Sequence, residues 1–234
     1  MTRTGPLVIV QARTGSRRLP RKVLADLCGA PVLQWLLERL SKTQLATGVV
    51  VATTIDPSDS EVVGLCRRIG VPTYRGHPSD VLSRFVAAAG AYGAKSLVRV
   101  SADSPLLDAD SVDYLIAEFE RSEAELVQNH RPTEWPVGTA IEVMTTEFLM
   151  TLDDRAVSSR HREHVTLFAY EHPEDFAMRY VRPPRGLAAP ALRLCIDTPE
   201  DLERVRAICR AHSPDRNRPL AEVVGAAAVV GSSQ

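Results

Sequence analysis

The chain has 234 residues, 44% hydrophobic and 24% charged, and its formal net charge is −1. That length suits a single α/β domain over residues 1–234, with or without a small inserted region. Near-neutral charge excludes a global electrostatic drive toward nucleic acid or an anionic membrane, so any bound anion must be met by a local cluster of cations.

Taken in chain order, short β-branched runs alternate with helical patterns. Residues 7–10 read as a buried strand. Pro31 then opens a helix that places Val32, Leu33, Leu36, Leu37 and Leu40 on one face. A second strand spans 49–53, and Ser58 with Glu61 forms a capping-box pattern ahead of Val62, Val63, Cys66 and Ile69. Strands at 71–74 and 97–101 bracket a helix over 80–92, and another helix covers 110–121. This alternation implies a largely parallel sheet covered on both faces. The second half is less regular: strands at 140–144 and 176–181 flank helices near 145–153 and 161–172. A last strand, 192–196, runs into Thr198, Pro199 and Asp201, a strong helix start. The tail over 226–234 is expected to fray.

The four cysteines, Cys28, Cys66, Cys195 and Cys209, form no C-x-x-C pair, which favours free buried thiols in a reducing compartment. The apolar run at 7–10 is too short for a signal-peptide core, and no later stretch is long enough to span a bilayer, so a cytoplasmic location is expected.

Three segments carry chemistry. Residues 11–22 read Gln-Ala-Arg-Thr-Gly-Ser-Arg-Arg-Leu-Pro-Arg-Lys and follow the first strand directly, at the sheet end where ligands bind in open α/β folds. Arg13, Arg17, Arg18, Arg21 and Lys22 fall within ten positions, and Gly15 and Ser16 permit close backbone approach to an anion. A triphosphate needs such a loop, although no Walker A pattern is present. The second segment, 99–106, ends another strand and carries Asp103 at the strand–loop junction. There a carboxylate suits Mg²⁺ or, equally, caps a turn before Pro105. In the third, Asp197 stands just before the Thr198 helix start, open to sharing a metal with Asp103 or to serving the cap alone. His161 and His164 are spaced i, i+3, but with no third ligand motif they are expected to be structural or hydrogen-bonding.

These segments, together with T-T-x-D at Thr53, Y-R-G at Tyr74, D-V-L-x-R-F at Asp80, A-D-x-P-L at Ala102, G-x-x-x-E ending at Glu142, R-E-H-V-T at Arg162 and D-T-P-E-D-L at Asp197, run in order along nearly the whole chain. In that order the chain resembles the cytidylyltransferases of the spore coat polysaccharide biosynthesis protein F type, related to CMP-Kdo and CMP-sialate synthetases. The resemblance implies a nucleotide-diphospho-sugar transferase fold, Rossmann-like, with a mixed, mainly parallel sheet. It also implies an arm or acceptor region over about 130–185 that makes a homodimer. The implied reaction is Mg²⁺-dependent transfer of CMP from CTP to an acidic or unusual sugar, of nonulosonic or keto-deoxy acid type, with release of pyrophosphate.

By the same resemblance Gln11, Ala12, Arg13, Gly15, Ser16, Lys22, Arg75, Asp80 and Arg84 face the nucleotide. Glu142, Glu163 and His164 face the acceptor, Asp103 and Asp197 hold Mg²⁺, and Arg13, Lys22, Asp103 and Asp197 carry the chemistry. The chain departs from the family pattern at Arg21, where R-L-P-G-K usually has glycine, at Ser101–Leu106 in place of T-G-D-C-P-L, and at Trp135, where F-P-x-G is usual. Another nucleotide, a phosphonate-type acceptor, or a non-catalytic nucleotide-binding regulator on the same fold are the alternatives.

Overall fold

A computed structural model of the protein describes residues 5–211 and 215–231. Its strands are β1 (Leu7–Gln11), β2 (Asp26–Leu27), β3 (Ala30–Pro31), β4 (Gly48–Thr54), β5 (Thr73–Gly76), β6 (Ser96–Ser101), β7 (Leu126–Gln128), β8 (Glu142–Thr145) and β9 (Met178–Tyr180). The helices are α1 (Val32–Leu40), α2 (Ser60–Arg68), α3 (Val81–Ala91), α4 (Ala109–Glu120), α5 (Thr146–Arg155), α6 (Ser159–Glu163), α7 (Leu167–Glu171), α8 (Pro199–Ala211) and α9 (Leu220–Gly231). Seven strands form one sheet in the order β5-β4-β1-β6-β8-β7-β9. Strands β5, β4, β1 and β6 are parallel, β8 runs antiparallel to both neighbours, and β7 and β9 pair in parallel.

Strand β1 lies near the middle of this sheet and is apolar from Leu7 to Val10 because both of its faces are covered there. Val8 and Val10 point into a core shared with α1, α2, α4, α8 and α9. Leu7 and Ile9 point into the opposite core, with α3, α5 and α7. Among the described residues no helix is long and apolar enough to cross a membrane.

Several boundaries differ from those read in the sequence. The strand expected at 71–74 begins only at Thr73, because Val71 finishes the preceding helix. Gly70 takes φ +73°, which allows Gly70 N–H to reach Arg67 O and Val71 N–H to reach Cys66 O. The Ser58–Glu61 capping box is not formed. Asp56 instead caps a short 3₁₀ turn, Pro57–Asp59, by accepting from Ser58 N–H at 2.9 Å. The single helix expected over 161–172 is broken into α6 and α7 at His164, whose backbone leaves the helical region.

Residues 192–196 do not form a strand. An isolated parallel bridge, Val137 to Arg193, and single backbone hydrogen bonds tie them to their neighbours. The stretch 130–185, expected as an arm, supplies β8 and β9 to the central sheet and α5–α7 to one of its faces. The expected fraying from 226 gives way to helix through Gly231, and residues 232–234 lie outside the described residues.

Candidate active site

The cationic loop after β1 is held from below by a buried acid. Asp59, only 2% exposed, accepts from Thr14 N–H at 2.6 Å and Thr14 Oγ1–H at 2.7 Å, and Thr54 Oγ1–H donates to it as well. Thr14 O in turn accepts from the N–H groups of Ser16 and Arg21, which folds residues 14–21 into a closed turn. Arg21, at the position where the family pattern has glycine, takes φ +60°. A side chain in this left-handed region costs roughly 1 kcal/mol. Its guanidinium reaches Glu61 at 2.5 Å, but both side chains are more than half exposed, so this pair contributes little.

The loop ends at Lys22, and Lys22 joins three distant parts of the chain. Its ammonium donates to Asp103 Oδ2 at 2.7 Å and to Asp197 Oδ1 at 2.9 Å. Burial pulls the Lys22 pKa down, but the two carboxylates outweigh it and hold it above the ordinary lysine value. Burial likewise raises Asp197, and Lys22 with Arg18 and Arg193 overcomes this to keep its carboxyl below the usual range.

Asp103 leaves the end of β6, while Asp197 arrives from the irregular segment 192–196. Ile196 N–H donates to Asp103 O at 2.9 Å, and Leu194 N–H to Val137 O at 2.7 Å, which sets the two acids side by side. This approach depends on Gly138, at φ +97°, where a Cβ would lie 2.3 Å from Cys195 N. The start of α8 completes the support: Thr198 Oγ1 accepts from Asp201 N–H, and Asp201 Oδ2 accepts from the N–H groups of Asp197 and Thr198. Asp197 enters this helix start through its N–H, while its carboxylate meets Lys22, Arg18 and Arg193.

The loop and the two acids border a cleft of about 690 Å³ at the carboxyl ends of β1 and β6. Of the residues expected in the site, Gln11, Ala12, Arg13, Gly15, Ser16, Lys22, Arg84, Asp103, Glu163, His164 and Asp197 line this cleft. Arg75, Asp80 and Glu142 do not. Arg75 spans the turn after β4, donating to Thr54 O and Asp56 O. Asp80 caps α3 through Ser83 N–H and pairs with Arg162 at 2.8 Å.

Glu142 lies beneath the cleft, buried and held by three donors. Arg99 Nη1 donates to it at 2.6 Å, and Thr166 Oγ1 and Tyr170 OH donate at 2.7 Å each. Burial opposes its charge, but Arg99, His130 and Thr166 hold its pKa at about 2. Glu142, expected on the acceptor side, does not itself line the cleft; it pairs with Arg99, which does line the cleft and which also donates to Gln11 Oε1.

Arg99, Arg193 and Asp59 are site or supporting residues that the sequence reading did not assign. Arg99 alone carried a signal, as a charge inside an apolar buried strand must have a partner. His161 pairs with Glu171 at 2.7 Å, and no group of three or more His, Cys, Asp or Glu side chains suited to a metal occurs among the described residues.

Comparison with known proteins bears on what this cleft does. Residues 7–218 match a family model described as cytidylyltransferase. The spore coat polysaccharide biosynthesis protein SpsF of Bacillus subtilis is 32% identical over 86% of this chain and 85% of its own. The 3-deoxy-manno-octulosonate cytidylyltransferase of Geobacter sulfurreducens is 37% identical over 47% of this chain and 43% of its own. A solved cytidylyltransferase structure from Leptospira borgpetersenii serovar Hardjo-bovis superposes with a TM-score of 0.89 at 26% identity, covering 99% of this chain and 96% of that one.

Proposed function

The chain belongs to the cytidylyltransferase family, and from that premise we propose that it transfers CMP from CTP to a hydroxyl of an acidic or unusual sugar, of nonulosonic or keto-deoxy acid type. The observation that carries the reading is the meeting of Lys22, Asp103 and Asp197 at the end of a cationic loop. Nucleotidyl transfer is mainly positioning and charge stabilisation, and that is what these side chains offer.

In the proposed reaction the acceptor oxygen attacks the α-phosphorus of CTP in line. The bond from the α-phosphorus to the oxygen bridging it to the β-phosphorus breaks, and its electron pair leaves with pyrophosphate. The acceptor proton passes to water in the open cleft. Arg13, Arg18 and Lys22 neutralise the departing pyrophosphate, and Gly15 and Ser16 let backbone N–H groups approach its oxygens. Arg99, braced by Glu142, and His164 face the acceptor side of the same cleft.

Mg²⁺ fits the donor set. Two hard carboxylates already converge on one cation, the Lys22 ammonium, and Mg²⁺ bound with a nucleotide needs only one or two protein carboxylates. Asp103 and Asp197 would hold it, where it supplies charge neutralisation on the phosphate oxygens and a lower pKa for the attacking hydroxyl.

The test is a thermal-shift comparison of CTP, UTP, GTP and ATP, each with Mg²⁺, followed by pyrophosphate release with a panel of sugar acids. A ligand at ~100 times its Kd adds about 2.7 kcal/mol, a rise of roughly 5–10 °C for a chain of this size. A rise with CTP and pyrophosphate release with a sugar acid are expected. Stabilisation by another nucleotide overturns the donor, and release only with a non-acidic acceptor overturns the sugar-acid reading.

A further inference from the structure

Arg84 is a buried cation whose needs the protein does not meet. It is 2% exposed, it lines the cleft, and its Nε has no hydrogen-bond partner among the described residues. Its stem is fixed, because it passes over Gly76, where a Cβ would lie 3.0 Å from Arg84 Cγ. The carboxylates close enough to act on it by charge, Asp59 and Asp80, are committed elsewhere: Asp59 to Thr14 and Thr54, Asp80 to Arg162 and Ser83. A guanidinium left unsatisfied in the interior is costly unless a ligand completes it.

The position of Arg84 narrows what that ligand is. Of the cations assigned to the phosphates, Lys22 and Arg18 both touch Asp197, whereas Arg13 reaches Pro78 O, ahead of α3. Asp103 follows β6, on one side of β1. Arg84 stands on α3, which follows β5, on the other side of β1. On the proposed reading, a nucleotide whose phosphates meet Lys22 and Arg18 at the Asp103–Asp197 end extends its nucleoside toward Arg84. Ala12 and Val81 give that part of the cleft apolar wall.

A deeply buried donor also suits a group that stays with the nucleotide product better than pyrophosphate, which must escape to water. The chemistry of the guanidinium completes the argument. It donates from a planar fork and accepts nothing. Cytosine presents two adjacent acceptors, O2 and N3, whereas uracil presents O2 beside an N3–H donor.

We propose that Arg84 reads the base of the nucleotide, donating from Nε and an Nη to O2 and N3 of cytosine, and so sets the preference for cytosine over uracil. This rests on the cytidylyl-transfer reading above and adds a specificity residue to it. The nearby charge of Arg13 is the feature that favours a different occupant, a phosphate.

The experiment is calorimetric titration of the wild-type protein, Arg84→Lys and Arg84→Gln with CTP, UTP and inorganic pyrophosphate, all with Mg²⁺. A bidentate pair to a base is worth about 1–3 kcal/mol, so Arg84→Lys is expected to weaken CTP about 10–100-fold. UTP and pyrophosphate should change less than about 3-fold. Arg84→Gln, whose carbonyl can accept from the N3–H of uracil, should bind UTP relatively better than the wild type does. That gain of preference does not arise from misfolding. Equal losses of CTP, UTP and pyrophosphate would overturn base reading in favour of a phosphate contact. An unchanged CTP-to-UTP ratio in both variants would overturn it outright. A wild-type protein that shows no preference for CTP would instead sink the functional reading beneath it.

Discussion

Two acidic sites lie within one cleft region and use charge in opposite ways. Asp103 and Asp197 are about a fifth exposed, and the cations that meet them come from separate segments: Lys22 and Arg18 from the loop, Arg193 from the strap before α8. Glu142 is 2% exposed and is held by Arg99, Thr166 and Tyr170, away from the cleft lining. On the proposed mechanism, the first arrangement exchanges one cation for another when a ligand arrives. The second is buried and behaves as part of the framework. A carboxylate near a cleft is thus no evidence of a catalytic role until its exposure and its partners are known.

The largest expected effect separates the two sites by activity. Asp103→Asn should keep the melting temperature within a few degrees, because its partners are part-exposed, while CMP transfer falls about 10²-fold or more. A near-wild-type rate would show that the exchangeable site is not the reacting one.

Glu142→Gln should do the reverse, destabilising the fold before it touches chemistry. Stranding Arg99 opposite a neutral amide is expected to cost about 2–4 kcal/mol, a fall of roughly 5–10 °C in Tm. The acid dependence sharpens this. Glu142 is held at about 2 against an ordinary 4.5, so its stabilisation is complete above pH 4.5 and is lost as pH falls through 2. The stability gap between wild type and Glu142→Gln should therefore be constant at neutral pH and close progressively in acid. A gap independent of pH across that range would show that the ion pair is not what the substitution removes.

Much of this contrast was legible in the sequence, and the part that was not has a physical reason. The loop at 11–22, Asp103 and Asp197 were visible because each follows an apolar run and breaks it with charge. Glu142 stands inside the apolar run 140–144 and entered the site only through the family resemblance, because burial on all sides leaves no trace in spacing. The strap at 192–196 read as a strand because its apolar residues are buried, yet they are buried by close approach to Gly138 rather than by a ladder of hydrogen bonds. Asp59 was hidden because it looks like any helix-start acid, and only the folded chain places Thr14 over it.

The smallest effect concerns the rim of the exchangeable site. Arg21→Gly removes a left-handed side chain and an exposed ion pair together, so the two changes nearly offset. The relief of strain should prevail by about 0.5 kcal/mol, a rise of about 1–2 °C by calorimetry. A fall of several degrees would mean that the Arg21–Glu61 contact holds the loop closed.

The strap that carries Asp197 also has a consequence for how the protein is made. Its partner Asp103 leaves the ribosome roughly 90 residues earlier, which at about 5–20 residues per second is a wait of several seconds. Strands β1, β4, β5 and β6 are all in hand by then. The nascent chain therefore holds its loop and one acid of the pair well before it holds the other. On the proposed mechanism, a ribosome stalled before residue 197 would carry a nucleotide cradle without the means to turn it over.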